Sequence, residues 1–232
     1  TNRVAVTLNG NVTNQFHDYI YRNIGETTVD LRTNGGVLPL FSQPDRFQND
    51  IGDAYAQPGW RYFTNTMVSH PHSQPVWARF TATPTGKPTI CMDMHLPAVA
   101  SREVAKADSP PIVEAPAPYS NKRSPTLVVR QIGEAWNKPF AAVYEPHFGS
   151  TSATVTNVTT LLRGNVVVGL KIESFVAGRN RIHYVLSNPG ASETYTDNSI
   201  GLSFQGRFGV IADNGDYSTT LYLGEGSSLS YR

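Results

Sequence analysis

Val4, Val6 and Leu8 alternate with Arg3, Ala5 and Thr7 almost from the first residue, the period-two pattern of a half-buried strand. Asn9-Gly10 supplies a tight-turn signal, and Phe16, Tyr19, Tyr21 and Ile24 mark a second extended segment. Short apolar runs broken by Gly, Pro, Asn and Asp predict further strands at Thr28–Leu31, Val37–Phe41, Trp60–Val68, Val76–Ala82, Thr89–His95, Leu127–Arg130 and Ala141–Tyr144. The same pattern continues at Val155–Leu162, Val166–Val176, Arg181–Ser187, Ile200–Phe204, Gly209–Ala212 and Ser218–Leu223. One segment, Ser101–Ala107, is built of good helix formers, and Pro97 and Pro110-Pro111 limit it to about two turns.

The fold class is therefore all-β: an antiparallel β-sandwich layer over residues 1–112, then a smaller antiparallel β-meander domain over 125–232. Between them, 113–124 reads as a linker, because six prolines fall within 97–126 and proline removes ladder donors. In the second domain Arg163-Gly164-Asn165, Ala177-Gly178-Arg179-Asn180, Asn188-Pro189-Gly190 and Asp213-Asn214-Gly215-Asp216 supply the hairpin turns.

Composition narrows the function. Lys+Arg (19) nearly balances Asp+Glu (18) in 232 residues, so no global field points to nucleic acid or an anionic membrane, and any basic groove is local. A single cysteine, Cys91, excludes an internal disulfide framework and a four-cysteine metal site, and reads as a small buried hydrophobe. No apolar run approaches the roughly 20 residues of a membrane span. The chain opens on a strand pattern with neither a start Met nor a signal-peptide core, as the back portion of a longer protein would. Asn11-Val12-Thr13 and Asn157-Val158-Thr159 are glycosylation sequons without meaning in a bacterium.

The familiar catalytic spacings GxSxG, HExxH, GxxxxGK[ST] and CxxC are absent, so no catalytic residue is assigned. His70-Pro71-His72 has a spacing that a divalent metal can use, set against a solvated loop without a third ligand. His95 reads as a hydrogen-bonded packing residue, and His147 and His183 as sheet-surface residues. His17 shares a strand face with Tyr19 and Tyr21, a surface suited to sugars or to a metal ligand, set against an ordinary polar sheet face. Arg179, Arg181, Arg207 and the Lys122-Arg123 and Arg130 group are the cations available to an acidic ligand, set against ordinary solvated sheet surfaces shared with Glu173, Glu193, Asp197, Asp213 and Asp216. Trp60, Tyr62, Trp77 and Trp136 are candidate sugar platforms or core aromatics.

Four stretches carry a resemblance: His17–Gly25 (HDYIYRNIG), Pro58–Phe63 (PGWRYF), Gly133–Pro146 (GEAWNKPFAAVYEP) and Ile200–Phe208 (IGLSFQGRF). In that order they resemble the C-terminal half of bacterial heparinase II/III-like polysaccharide lyases. The resemblance implies a three-part, periplasmic or secreted enzyme that cleaves uronic-acid polysaccharides by β-elimination. Its helical toroid and acid-base pair would lie upstream, leaving this chain non-catalytic by itself. The implied partners are an acidic polysaccharide, heparin- or heparan-sulfate-like or another uronic polymer, and the upstream helical domain. It also implies that His17 is one ligand of a structural Zn2+ in the intact enzyme, with the other ligands outside this sequence. The alternative is a free-standing carbohydrate-binding or structural β-sandwich module.

Overall fold

The computed structural model describes residues 3–4, 16–22, 27–44, 46, 62–84, 86–111, 119–132, 138–188, 190 and 192–232; of 3–4, 16–22, 27, 119 and 132 it describes the backbone alone. The chain forms two compact units. The first comprises Thr1–Met94, Ala98–Gly133 and Pro146–Ser152, and the second His95–Pro97, Glu134–Glu145 and Ala153–Arg232.

Two antiparallel sheets build the first unit. One contains β1 (Arg3–Val4), β2 (Phe16–Arg22), β5 (Phe41–Ser42), β6 (Thr64–Val68), β9 (Glu103–Asp108) and β10 (Pro125–Ile132), in the order β1-β2-β10-β9-β6-β5. Its centre is apolar on both faces. Leu127, Val128 and Val129 are successive buried residues of β10, which is the run expected of a strand covered on both sides. Val128, Ala105, Ala107, Val68 and Phe63 form one cluster. On the opposite face, Lys106 Nζ donates to the Val29 carbonyl at 2.8 Å and ties this sheet to the next.

The second sheet contains β3 (Thr27–Thr33), β4 (Gly36–Val37), β7 (Val76–Ala82), β8 (Ile90–Leu96) and β11 (Val143–Phe148), in the order β11-β8-β7-β3-β4. Val29, Leu31, Val76, Ala78, Phe80 and Met94 are buried on one side, and the alternating positions carry Asp30, Arg32, Trp77, Arg79 and Thr81 together with the buried Cys91 and Asp93. Period-two alternation thus gives this sheet one apolar and one polar face.

The second unit is a meander of β12 (Val155–Arg163), β13 (Val166–Val176), β14 (Arg179–Ser187), β15 (Thr194–Asp197), β16 (Leu202–Asp213) and β17 (Thr219–Ser230). The order is β12-β13-β14-β16-β15, with β17 also paired to β16. The ends of β8 and β11 that carry His95 and Glu145 belong to this unit. Its core is Leu161, Val168, Tyr184, Leu186, Tyr195, Leu202, Phe204 and Ile211. Ala177 and Gly178 both have positive φ, at 52° and 78°, and close a two-residue hairpin with the twist its strands need.

Two expectations are corrected. Ser101–Ala107 contributes not a helix but β9, an interior strand between β10 and β6. Its neighbours supply hydrogen-bond partners on both sides, and Val104, Ala105 and Ala107 fill core positions, so tertiary packing overrides local helix propensity. The prolines of 97–126 flank this strand, and Pro125 takes the first position of β10, where a missing N–H is tolerated. The compact units also divide at different residues from the sequence boundary. Residues 125–132 pair with β2 and β9 in the first unit, whereas 1–112 and 125–232 were the expected blocks.

Candidate functional site

The polar face of the second sheet concentrates the chemistry of the first unit. Cross-strand register sets Arg32 opposite Trp77 and Asp30 opposite Arg79. The Arg79 guanidinium lies 4.6 Å from the centroid of the Trp77 ring, and that of Arg32 lies 5.5 Å from it, both within cation–π range. Arg79 also grips Asp93 with a two-pronged fork, Nε to Oδ1 and Nη2 to Oδ2, both at 2.7 Å. The Asp93 side chain is fully buried, and Nε2 of the buried His147 lies 3.4 Å from its Oδ2. The other nitrogen of His147, Nδ1, is 2.9 Å from the Phe148 carbonyl. Burial by itself would raise the Asp93 pKa. The Arg79 fork, the Trp77 hydrogen bond and the His147 charge outweigh it and hold the carboxyl below its ordinary value.

A second carboxylate is held in the other unit. Glu145 accepts from the Thr154 hydroxyl at 2.7 Å, from the Thr154 amide, and from the Val155 amide at 3.1 Å, while His95 Nε2 stands 3.7 Å away. Burial raises its pKa, and the Thr154 and Val155 donors with the His95 charge bring it below the usual carboxylate value. Glu145 thereby fixes the start of β12.

Asp93, His95 and Glu145 are metal-ligand residue types. A cation at Asp93 would have to displace the guanidinium already neutralising both its oxygens, and one at Glu145 would compete with three donors. The arrangement is better suited to bracing strands than to coordinating an ion or moving a proton.

His17 lies in β2 with its backbone opposite Val4 and Gln131, and its side chain is outside the described residues. His70 and His72 do not converge. His70 stacks on Phe41 at 4.3 Å, while His72 forms a two-way backbone bridge with the buried Arg102. Burial first, and then the Arg102 charge, lower the His72 pKa, which favours the neutral ring over a cation-sensing role. Among the described residues, neither joins a group of three potential ligands.

The cations named from sequence are mostly engaged. Arg179 pairs with Asp216 at 3.3 Å, Arg207 with Glu225 at 3.5 Å, and Arg123 donates to the Tyr62 carbonyl at 2.8 Å. Arg181 and Arg32 have no carboxylate partner among the described residues. Of the aromatic candidates, Trp77 is the one held in a charged setting and Tyr62 is exposed; Trp60 and Trp136 lie outside the described residues. Sequence reasoning placed His147 on a meander surface and missed Arg79 and Asp93. The register that brings them together was implicit in the period-two alternation of Val76–Ala82 and Ile90–Leu96, but the strand order that makes them neighbours was not.

Residues 155–232 match a family model described as the endo-acting ulvan lyase C-terminal domain. Over 219 residues, 94% of this chain, the sequence is 38% identical to a protein of Formosa agariphila described as an endo-acting ulvan lyase. The chain spans 26% of that protein's length. The similarity is thus to the C-terminal portion of a polysaccharide lyase, and nothing in it singles out the heparinase II/III-like lyases.

Proposed function

We propose that this chain is the non-catalytic, β-rich C-terminal part of an endo-acting lyase that degrades an acidic, uronic-acid-containing polysaccharide. The observation that carries this reading is the 38% identity to an ulvan lyase along nearly the whole chain. The side chains agree with it. The two best-organised charged clusters, around Asp93 and Glu145, are internally compensated and offer neither a free base nor an acid positioned for elimination. Arg32 and Arg181 supply guanidinium groups without carboxylate partners among the described residues, which suits weak, salt-sensitive contact with sugar carboxylates or sulfates. The heparinase-like relationship, the Zn2+ site using His17 and export from the cytoplasm belong to the same reading.

The test uses the chain beside the complete protein that contains it. With ulvan, the complete protein generates the ultraviolet absorbance of unsaturated uronic ends and the chain does not. Heparin, chondroitin and alginate assayed in parallel rank the substrates. Turnover by the chain alone would overturn the non-catalytic assignment, and an inactive complete protein on all four polymers would overturn the lyase reading.

A further inference from the structure

β17 is a twelve-residue strand whose one edge is hydrogen-bonded along β16, from Ser203↔Ser230 to Asp213↔Thr219, and whose other edge is unpaired among the described residues. Such an edge presents a row of backbone donors and acceptors, and proteins usually blunt it with proline, lysine or shortness. β17, of sequence TTLYLGEGSSLS, has no proline and no basic residue. Its single charge, Glu225, is matched by Arg207 of the same sheet. At its centre Leu221, Tyr222 and Leu223 are 46%, 57% and 38% exposed, so apolar side chains project from both faces of an open edge.

We infer that this edge is a docking surface for a second copy of the same chain, with the two β17 strands pairing antiparallel about a two-fold axis at Tyr222. The side-chain pattern favours that register. Leu221 of one copy meets Leu223 of the other on the face shared with Ile211 and Gly209, and this contact occurs twice by symmetry. On the opposite face the two Tyr222 rings meet, each backed by Phe208 of its own copy at 6.2 Å. Aromatic cross-strand pairs of this kind stabilise sheets. Glu225 falls opposite Thr219 of the second copy, so no like charges are opposed, whereas a register centred on Glu225 would set carboxylate against carboxylate. Gly224 lets the edge stay close to β16, because a Cβ there would lie 2.8 Å from the Phe208 ring. A contact confined to one strand buries less than the roughly 1,200 Å² of a standard interface, so the dimer forms reversibly with concentration.

Sedimentation velocity of the full chain from low to high micromolar concentration tests this inference. The expected result is a shift from the 25.4 kDa monomer towards twice that mass. Leu221→Lys and Leu223→Lys should each abolish the shift while leaving the far-ultraviolet circular dichroism and Tm of the parent, since both positions are exposed. The register is tested by oxidation: Tyr222→Cys should cross-link to itself across the axis, and Thr219→Cys should cross-link to Glu225→Cys in a mixture but not to itself. A chain that remains monomeric at every concentration would overturn the inference. Lysine variants that dimerise like the parent, or a Tyr222→Cys variant that forms no cross-link, would overturn it equally.

Discussion

Two charged regions built from the same residue types behave as opposites. Around Asp93 in the first unit, a carboxylate with 0% side-chain exposure is gripped by Arg79 and approached by His147. On β16 and β17 of the second unit, Arg207 and Glu225 sit 3.5 Å apart with side chains 63% and 66% exposed. The difference lies in solvent rather than in chemistry. Removing one member of a buried pair strands the other charge in a low-dielectric setting, whereas an exposed pair exchanges its partner for water at little cost. The first region therefore holds the fold, and the second contributes little to it.

The largest effect is expected for Arg79→Ala. It should destabilise the protein by about 3–5 kcal/mol in urea unfolding, because the fully buried Asp93 carboxylate loses both prongs of its fork. A loss below about 1 kcal/mol would show that the network is as dispensable as a surface pair. The second unit has its own buried polar group, Tyr184, which is 1% exposed, hydrogen-bonded to Tyr231, and has its hydroxyl pKa raised by burial and by that contact. Tyr231→Ala leaves this hydroxyl without that partner and should cost about 1–3 kcal/mol. An unchanged midpoint would mean that the C-terminal tyrosine does not serve this unit.

Acidification acts on the buried groups of both units. The folded-state pKa of His72 lies below 6.5, so the unfolded chain binds the proton first and stability falls as pH drops below that value. Asp93 and Glu145, depressed below 3.8 and 4.5, contribute stability that is present above those values and lost as pH falls through their folded pKa values. Thermal melts should thus show a decline beginning below pH 6.5 and steepening below about pH 4.5. His72→Gln should flatten the first part and leave the second, and a melt unchanged between pH 7 and pH 4 would contradict these assignments. The smallest effect on stability belongs to Arg207→Ala, under about 0.5 kcal/mol by urea unfolding.

Much of this architecture was legible in the residues. Val76–Ala82 and Val166–Val176 coincide with observed strands because their alternation matches the pleat and glycine turns bound the second of them. The sequence pattern predicts two strands, Ile200–Phe204 and Gly209–Ala212, yet β16 runs unbroken from Leu202 to Asp213. Gly206 and Gly209 break the pattern without breaking the ladder, since register shifts absorb the irregularity. β9 escaped because Glu103, Ala105, Lys106 and Ala107 are good helix formers, and its strand character shows only once its two neighbours are known. The Asp93 network escaped for a related reason. Ion pairs between strands depend on sheet order, and a sequence separation of 54 residues between Asp93 and His147 leaves no local trace.

The proposed function makes this chain one part of a polysaccharide lyase whose chemistry lies elsewhere in the complete protein. The most direct measurement is the ultraviolet absorbance of unsaturated uronic ends when equal amounts of the chain and of the complete protein are incubated with ulvan. A steady rise with the complete protein and a flat trace with the chain are expected. A rise with the chain alone would contradict the proposed function.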